Sequence, residues 1–236
     1  MNSRIAAAAA VHVFTALGII CALMAILAVW SGSYEAAFAW LGLAFVIDGI
    51  DGPFARAADV TTHLPRFSGE RLDMVIDYIT YVLIPVLALL QAGFLPGKFG
   101  LLLGAAILMS SLYHFADHGN KSEDNCFVGF PAIWNIVAFY FFAFAAPPWL
   151  VAAIVIVCVV LTFVPMRWVH PMRVKKLWMP TALACVIWAA AAAVAVWYGF
   201  PAGVYAKTAL IVVLIYGVGL SLWWPMADPR ASSNGE

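Results

Sequence analysis

Eight apolar stretches, each about the twenty residues that an α-helix needs to cross a bilayer, divide this chain almost from end to end. They run over residues 5–30, 36–57, 70–93, 99–116, 127–146, 148–166, 178–199 and 207–226. With 65% hydrophobic residues, 10% charged residues and a mean hydropathy of +0.98, an ordinary soluble domain is excluded. The expected fold is an all-α integral membrane protein, a polytopic bundle of about eight transmembrane helices forming a single domain over 1–236. The first stretch follows Arg4 but is too long for the apolar core of a secretory signal, so it reads as a retained helix in which His12 and Thr15 must find partners. The net charge of zero gives no pointer to a nucleic-acid partner, and Cys21, Cys126, Cys158 and Cys185 are scattered as packing residues would be.

Orientation follows from where the basic residues fall. The connections after the first, third, fifth and seventh stretches hold Lys98 and Lys207. The termini and the other connections hold Arg4, Arg56, Arg66, Arg71, Lys121, Arg167, Arg173, Lys175, Lys176 and Arg230. The positive-inside rule then places both termini in the cytoplasm. Trp30, Tyr34, Trp149, Trp168, Trp178, Tyr198, Trp223 and Trp224 fit interfacial belts at the ends of spans.

Against this apolar background stand four aspartates. The second stretch ends in DGIDGPFAR and the third begins in GERLDMVID, so Asp48 and Asp51 lie one turn apart on one helix, and Asp73 and Asp77 one turn apart on the next. At about 1.5 Å rise per residue, Asp48 lies roughly 20 Å across a core of about 30 Å, and Asp77 lies about 10 Å in from the cytoplasmic side. Antiparallel helices thus bring Asp48 level with Asp77, and Asp51 level with Asp73, in a site that faces the cytoplasm. Carboxylates at such depth usually mark function, and four together repel unless cations neutralise them or some keep protons. A ligand set of oxygens alone favours magnesium or manganese over zinc, and two such ions suit the in-line displacement of a diphosphate.

Gly52 and Ala55 share the face of the first acidic pair, where missing side chains admit a bulky group, and Arg56 follows one turn after Gly52, suited to a phosphate oxygen. An attacking alcohol must lose a proton, and Asp77, deep in the cleft, is the candidate base as well as a candidate metal ligand.

At these residues the chain resembles the CDP-alcohol phosphatidyltransferase family, whose signature is D-G-x2-D-G-x2-A-R, a spacer, then G-x3-D-x3-D. Each signature residue is present, and the spacer, residues 57–68, is longer than the family's common one. That spacer, the local wording LDMVIDYITYV and the eight spans are similar to the family's bacterial phosphatidylcholine synthases. The resemblance implies transfer of a phosphatidyl group from CDP-diacylglycerol to choline with release of CMP in the inner membrane. It also implies two Mn2+ or Mg2+ ions on Asp48, Asp51, Asp73 and Asp77, a cytidine site at Gly52, Ala55 and Gly69, Arg56 at the diphosphate, and a homodimer.

Choline is a quaternary ammonium and takes aromatic faces. Tyr78, Tyr81, Tyr113, Phe130, Trp134 and Tyr140 fall towards the cytoplasmic halves of spans, and Trp134 and Tyr113 are the favoured pair. The polar loop at 117–125 reads as a solvated connection, the basic run Arg167 to Lys176 as a topology and headgroup signal, and His114 and His170 as interfacial histidines. A sister enzyme acting on serine, inositol phosphate or glycerol phosphate has the same chemistry, and the inverse route from CDP-choline and diacylglycerol uses a similar motif. A divalent-cation transporter is the alternative from another class, but it needs a ladder of acids through the bilayer, and these four cluster towards one face.

Overall fold

Small residues recur along the first stretch at alternating steps of three and four, at Thr15, Gly18, Ala22, Ala25 and Val29, and a helix gathers them on one stripe. In the computed structural model, which describes residues 3–117, 127–164, 167–168 and 178–227, helix α1 (Ser3–Trp30) buries that stripe and turns Val13, Leu17, Ile20, Leu23 and Leu27 outward. A packing face of small residues lets neighbouring backbones approach closely, and the large apolar face is left for lipid.

The chain then reverses on Gly32, whose φ of 73° makes it a helix-terminating residue. Its N–H bonds to the Val29 carbonyl at 2.9 Å and that of Ser33 to Ala28 at 2.9 Å, closing α1. Helix α2 (Tyr34–Ala57) packs along α1 and repeats the buried pattern through Ala37, Leu41, Ala44, Ile47 and Asp51. Asp51 thus belongs to the inner stripe, and Asp48, one turn beyond Ala44, lies at its edge.

The longer spacer holds a single helical turn, α3 (Val60–His63), before α4 (Gly69–Asp77) begins. Ser68 caps α4, its Oγ accepting the Arg71 N–H at 3.2 Å. Past Asp77 the helix widens into a π-helical turn (Tyr78–Leu83) and resumes as α5 (Ile84–Gln91). Pro85 supplies the reason: it has no N–H to give to the carbonyl of Tyr81, and its ring crowds that carbonyl, so the turn before it opens. The helix expected over 70–93 is present as Gly69–Gln91 with this interruption.

The chain divides into two compact units, one of Met1–Gly93 with Trp134–Phe139, the other of Phe94–Ile133 with Tyr140–Glu236. The second unit holds α6 (Gly97–Ala116), β1 (Phe127–Val128), the end of α7 (Trp134–Phe144) from Tyr140 onward, α8 (Pro148–Thr162), β2 (Arg167–Trp168), α9 (Trp178–Tyr198) and α10 (Val204–Ala227). In it α6 packs on α8 and α9 on α10. Thr181 Oγ1 meets the Tyr216 hydroxyl at 2.8 Å across the α9–α10 pair. The two short strands pair antiparallel, Phe127 opposite Trp168 and Val128 opposite Arg167.

The fifth span differs from the expected helix over 127–146, because helix begins only at Trp134. Gly129 has a φ of 79°, and a Cβ there would lie 2.5 Å from the Thr162 carbonyl oxygen. The next N–H, that of Phe130, donates to Leu161 at 3.0 Å. With Pro131 following and Ala132 at a φ of 53°, the segment stays irregular and non-helical, tied to the end of α8, until Trp134.

Six helices among the described residues are long and apolar enough to cross a membrane, and α7 and α8, with 11 and 15 residues, complete the set of eight apolar helices. At about 1.5 Å per residue the short pair reaches roughly 16 and 22 Å, less than a core of about 30 Å. The protein is a multi-pass helical membrane protein. His118, Lys121, Glu123, Asp124, Cys126, His170, Arg173, Lys175, Lys176 and Arg230 lie outside the described residues.

Candidate active site

Because α2 and α4 run side by side with α1, their acidic turns meet. One carboxylate oxygen each from Asp48, Asp73 and Asp77 lies within 4.8 Å of the others. Asp51 lines the same cavity, together with Thr15 and Gly18 of α1 and Thr80 of the π-helical turn. It is only 7% exposed, and among the described residues no donor hydrogen-bonds its carboxylate. Charges at such separation repel by on the order of 3 kcal/mol per pair at an effective dielectric near 20. A buried carboxylate without a donor and three more converging beside it form a set able to hold a divalent cation, and a donor set of oxygens alone suits a hard one.

The cavity itself is small, about 10 Å³, close to the space of one water-sized sphere. It matches an ion, and anything larger must lie at its mouth. Its closure depends on Gly18: a Cβ there would lie 2.8 Å from Ile76 Cγ2, so the missing side chain lets α1 approach the helix that carries Asp73 and Asp77.

The other residues singled out from the sequence are placed as follows. Gly52 and Ala55 are half-buried on α2, and Arg56 is exposed in its last turn. Arg56 lies over Gly52, its Nη1 3.4 Å from where a Cβ on Gly52 would stand. Gly69 opens α4, and a Cβ there would lie 3.2 Å from His12 Cε1 of α1. The His12 Nε2 is buried and, among the described residues, without a hydrogen-bond partner. Trp134, fully buried, belongs to the first unit, as the acids do. Tyr113, 65% exposed on α6, belongs to the second and meets the Phe163 ring at 6.4 Å. The Tyr140 hydroxyl donates to the Leu210 carbonyl at 3.0 Å, which makes it a link from α7 to α10. Phe130 is buried.

Sequence reasoning weighed Tyr81 only as an aromatic face. Its hydroxyl in fact donates to Asp48 Oδ2 at 2.5 Å. The signal was available, since Tyr81 follows Asp73 and Asp77 at the same four-residue step. Thr15 and Gly18 were legible as small helix residues, but nothing in their own helix says that they wall an acidic cavity.

An acid-lined, ion-sized cavity at the meeting of two motif helices has the make-up of a site able to hold a divalent cation. The sequence model of the CDP-alcohol phosphatidyltransferases matches residues 9–164, and this chain belongs to that family. Within it the chain is similar to the phosphatidylcholine synthase of Brucella melitensis, 39% identical over 211 residues that cover 89% of this chain and 76% of the relative. The phosphatidylcholine synthase of Mesorhizobium japonicum is 44% identical over 190 residues, covering 80% and 71%. That of Pseudomonas aeruginosa is 47% identical over 174 residues, covering 74% and 73%.

Proposed function

We propose that this chain transfers the phosphatidyl group of CDP-diacylglycerol to choline, forming phosphatidylcholine and releasing CMP. The observation that carries the reading is the convergence of Asp48, Asp73 and Asp77 beside buried Asp51, in a chain similar over most of its length to phosphatidylcholine synthases. The choline oxygen attacks the phosphorus that bears diacylglycerol, and the bond from that phosphorus to the bridging anhydride oxygen breaks. CMP leaves with that oxygen, and Asp77 accepts the hydroxyl proton.

Asp48, Asp51, Asp73 and Asp77 are the proposed ligands of two divalent ions, Mg2+ or Mn2+. When bound, these supply the positive charge that orients a diphosphate and offsets charge on the attacking and leaving oxygens. Gly52, Ala55 and Gly69 leave room for the cytidine, and Arg56, with its guanidinium at the exposed end of α2, meets the diphosphate. Trp134, in the same compact unit as the acids, is the proposed aromatic contact of the trimethylammonium group.

The distribution of basic residues supports a site open to the cytoplasm, both termini on that side, and the bacterial inner membrane as its location. The family match crosses from the first compact unit into the second, which supports reading 1–236 as one catalytic domain. A homodimer is the assembly that the resemblance suggests.

The test is acceptor choice. Purified protein in detergent, given CDP-diacylglycerol and divalent metal, is expected to make phosphatidylcholine from labelled choline and no corresponding lipid from serine, inositol phosphate or glycerol phosphate. A lipid product from one of those alcohols instead of choline overturns the choice of acceptor and leaves the chemistry standing.

A further inference from the structure

The face of α4 that carries Asp73 and Asp77 continues by one more step of four to Tyr81, in the π-helical turn. This residue is 9% exposed. A buried phenol needs a partner for its hydroxyl, and here the partner is Asp48 Oδ2 on the neighbouring helix at 2.5 Å. The ring is held on the same helix by Phe45, one turn before Asp48, with centroids 6.0 Å apart and planes tilted by 46°. Two contacts with α2, one polar and one apolar, thus fix where Tyr81 stands and which way the Asp48 carboxylate turns. A hydrogen bond to an ionised carboxylate is of the stronger, directional kind. It engages Oδ2 and leaves the remaining lone pairs of Asp48 for a cation. Pro85 contributes at a distance, because the opened turn it imposes is the segment that carries Tyr81.

We propose that Tyr81 is a positioning residue for the divalent cation, its hydroxyl holding Asp48 in the orientation that brings this carboxylate within 4.8 Å of those of Asp73 and Asp77. The inference rests on the reading that these carboxylates hold such an ion. Groups that orient a metal ligand through a hydrogen bond set affinity, and their loss typically weakens metal binding about 10- to 100-fold. Substrate contacts and the proton-accepting group lie elsewhere, so the effect belongs to metal affinity and not to the reaction at saturating metal.

Tyr81→Phe removes one oxygen and keeps the ring against Phe45. Mn2+ binding to the purified protein in detergent, without substrate, is read from the paramagnetic resonance signal of unbound Mn2+. The Kd of the variant is expected to rise about 10- to 100-fold, with kcat at saturating Mn2+ and the KM for CDP-diacylglycerol close to those of the parent. An unchanged Kd in the variant, beside a parent that binds Mn2+, overturns the role of Tyr81 alone. A parent that binds no Mn2+ overturns the metal reading on which it rests. In an Asp48→Asn background the same substitution is expected to add no further loss of affinity, because the group it positions is no longer the anionic ligand. A further loss in the double variant, of the same size as in the parent, overturns the route through Asp48.

Discussion

Asp77→Asn is expected to lower kcat for CMP release by at least about a thousandfold, the largest functional effect of any single substitution in this chain. The change keeps the side chain's size but removes both the proposed base for the choline proton, worth typically 10²- to 10⁴-fold, and one negatively charged member of the proposed ligand set. Stability is expected to move the other way. Asp48, Asp73 and Asp77 converge within 4.8 Å, and without metal the removal of one charge relieves repulsion among them. The thermal midpoint of the variant in detergent with chelator should therefore equal or exceed that of the parent. Added Mn2+ should raise the parent's midpoint more than the variant's, since only what binds the folded state stabilises it. A variant that retains more than a tenth of parental kcat overturns the role given to Asp77.

The largest loss of stability is expected at Gly100. A Cβ there would stand 2.1 Å from both the carbonyl carbon and the carbonyl oxygen of Leu95, and these are backbone atoms that cannot swing aside. The Gly100 N–H also bonds to the Pro96 carbonyl at 3.1 Å, the first-turn helical bond that holds Gly100 in place beside Leu95. Gly100→Ala must push the Leu95 backbone out of place, a cost of about 3 kcal/mol or more. The control is Gly217→Ala in α10, where nothing lies within 4 Å of the added carbon and the gain in helix propensity is up to about 1 kcal/mol. Thermal melts in one detergent compare the two. Equal midpoints for both variants overturn the packing described for the start of α6.

What the chain discloses before folding, and what it does not, can be traced through these residues. The aspartates are legible because helices convert spacing into facing: Asp48 and Asp51, like Asp73 and Asp77, stand one turn apart, and antiparallel spans set their depths. The eight apolar helices are legible because hydrocarbon demands a minimum length of apolar residues. The start of α7 is not, since an apolar count passes over Gly129 and Pro131, whose backbone preferences and contact with the end of α8 keep 129–133 out of the helix. The π-helical turn was written in Pro85, yet its consequence falls four residues earlier, at Tyr81, where no local signal marks it. The bond from Tyr81 to Asp48 joins residues 33 apart in the chain, and only the packing of two helices creates it. Thr15 and Gly18 enter the cavity wall for the same reason, through the close approach of α1 to Ile76.

The most direct test of the central claim is CMP release from CDP-diacylglycerol by protein stripped with chelator and then titrated with Mn2+ or Mg2+, with and without choline. No release is expected in the stripped protein. Choline-dependent release should return with metal, matched mole for mole by phosphatidylcholine. Full turnover in excess chelator, or metal-dependent binding with no CMP formed from any alcohol, would contradict the account of the four aspartates as the seat of phosphatidyl transfer.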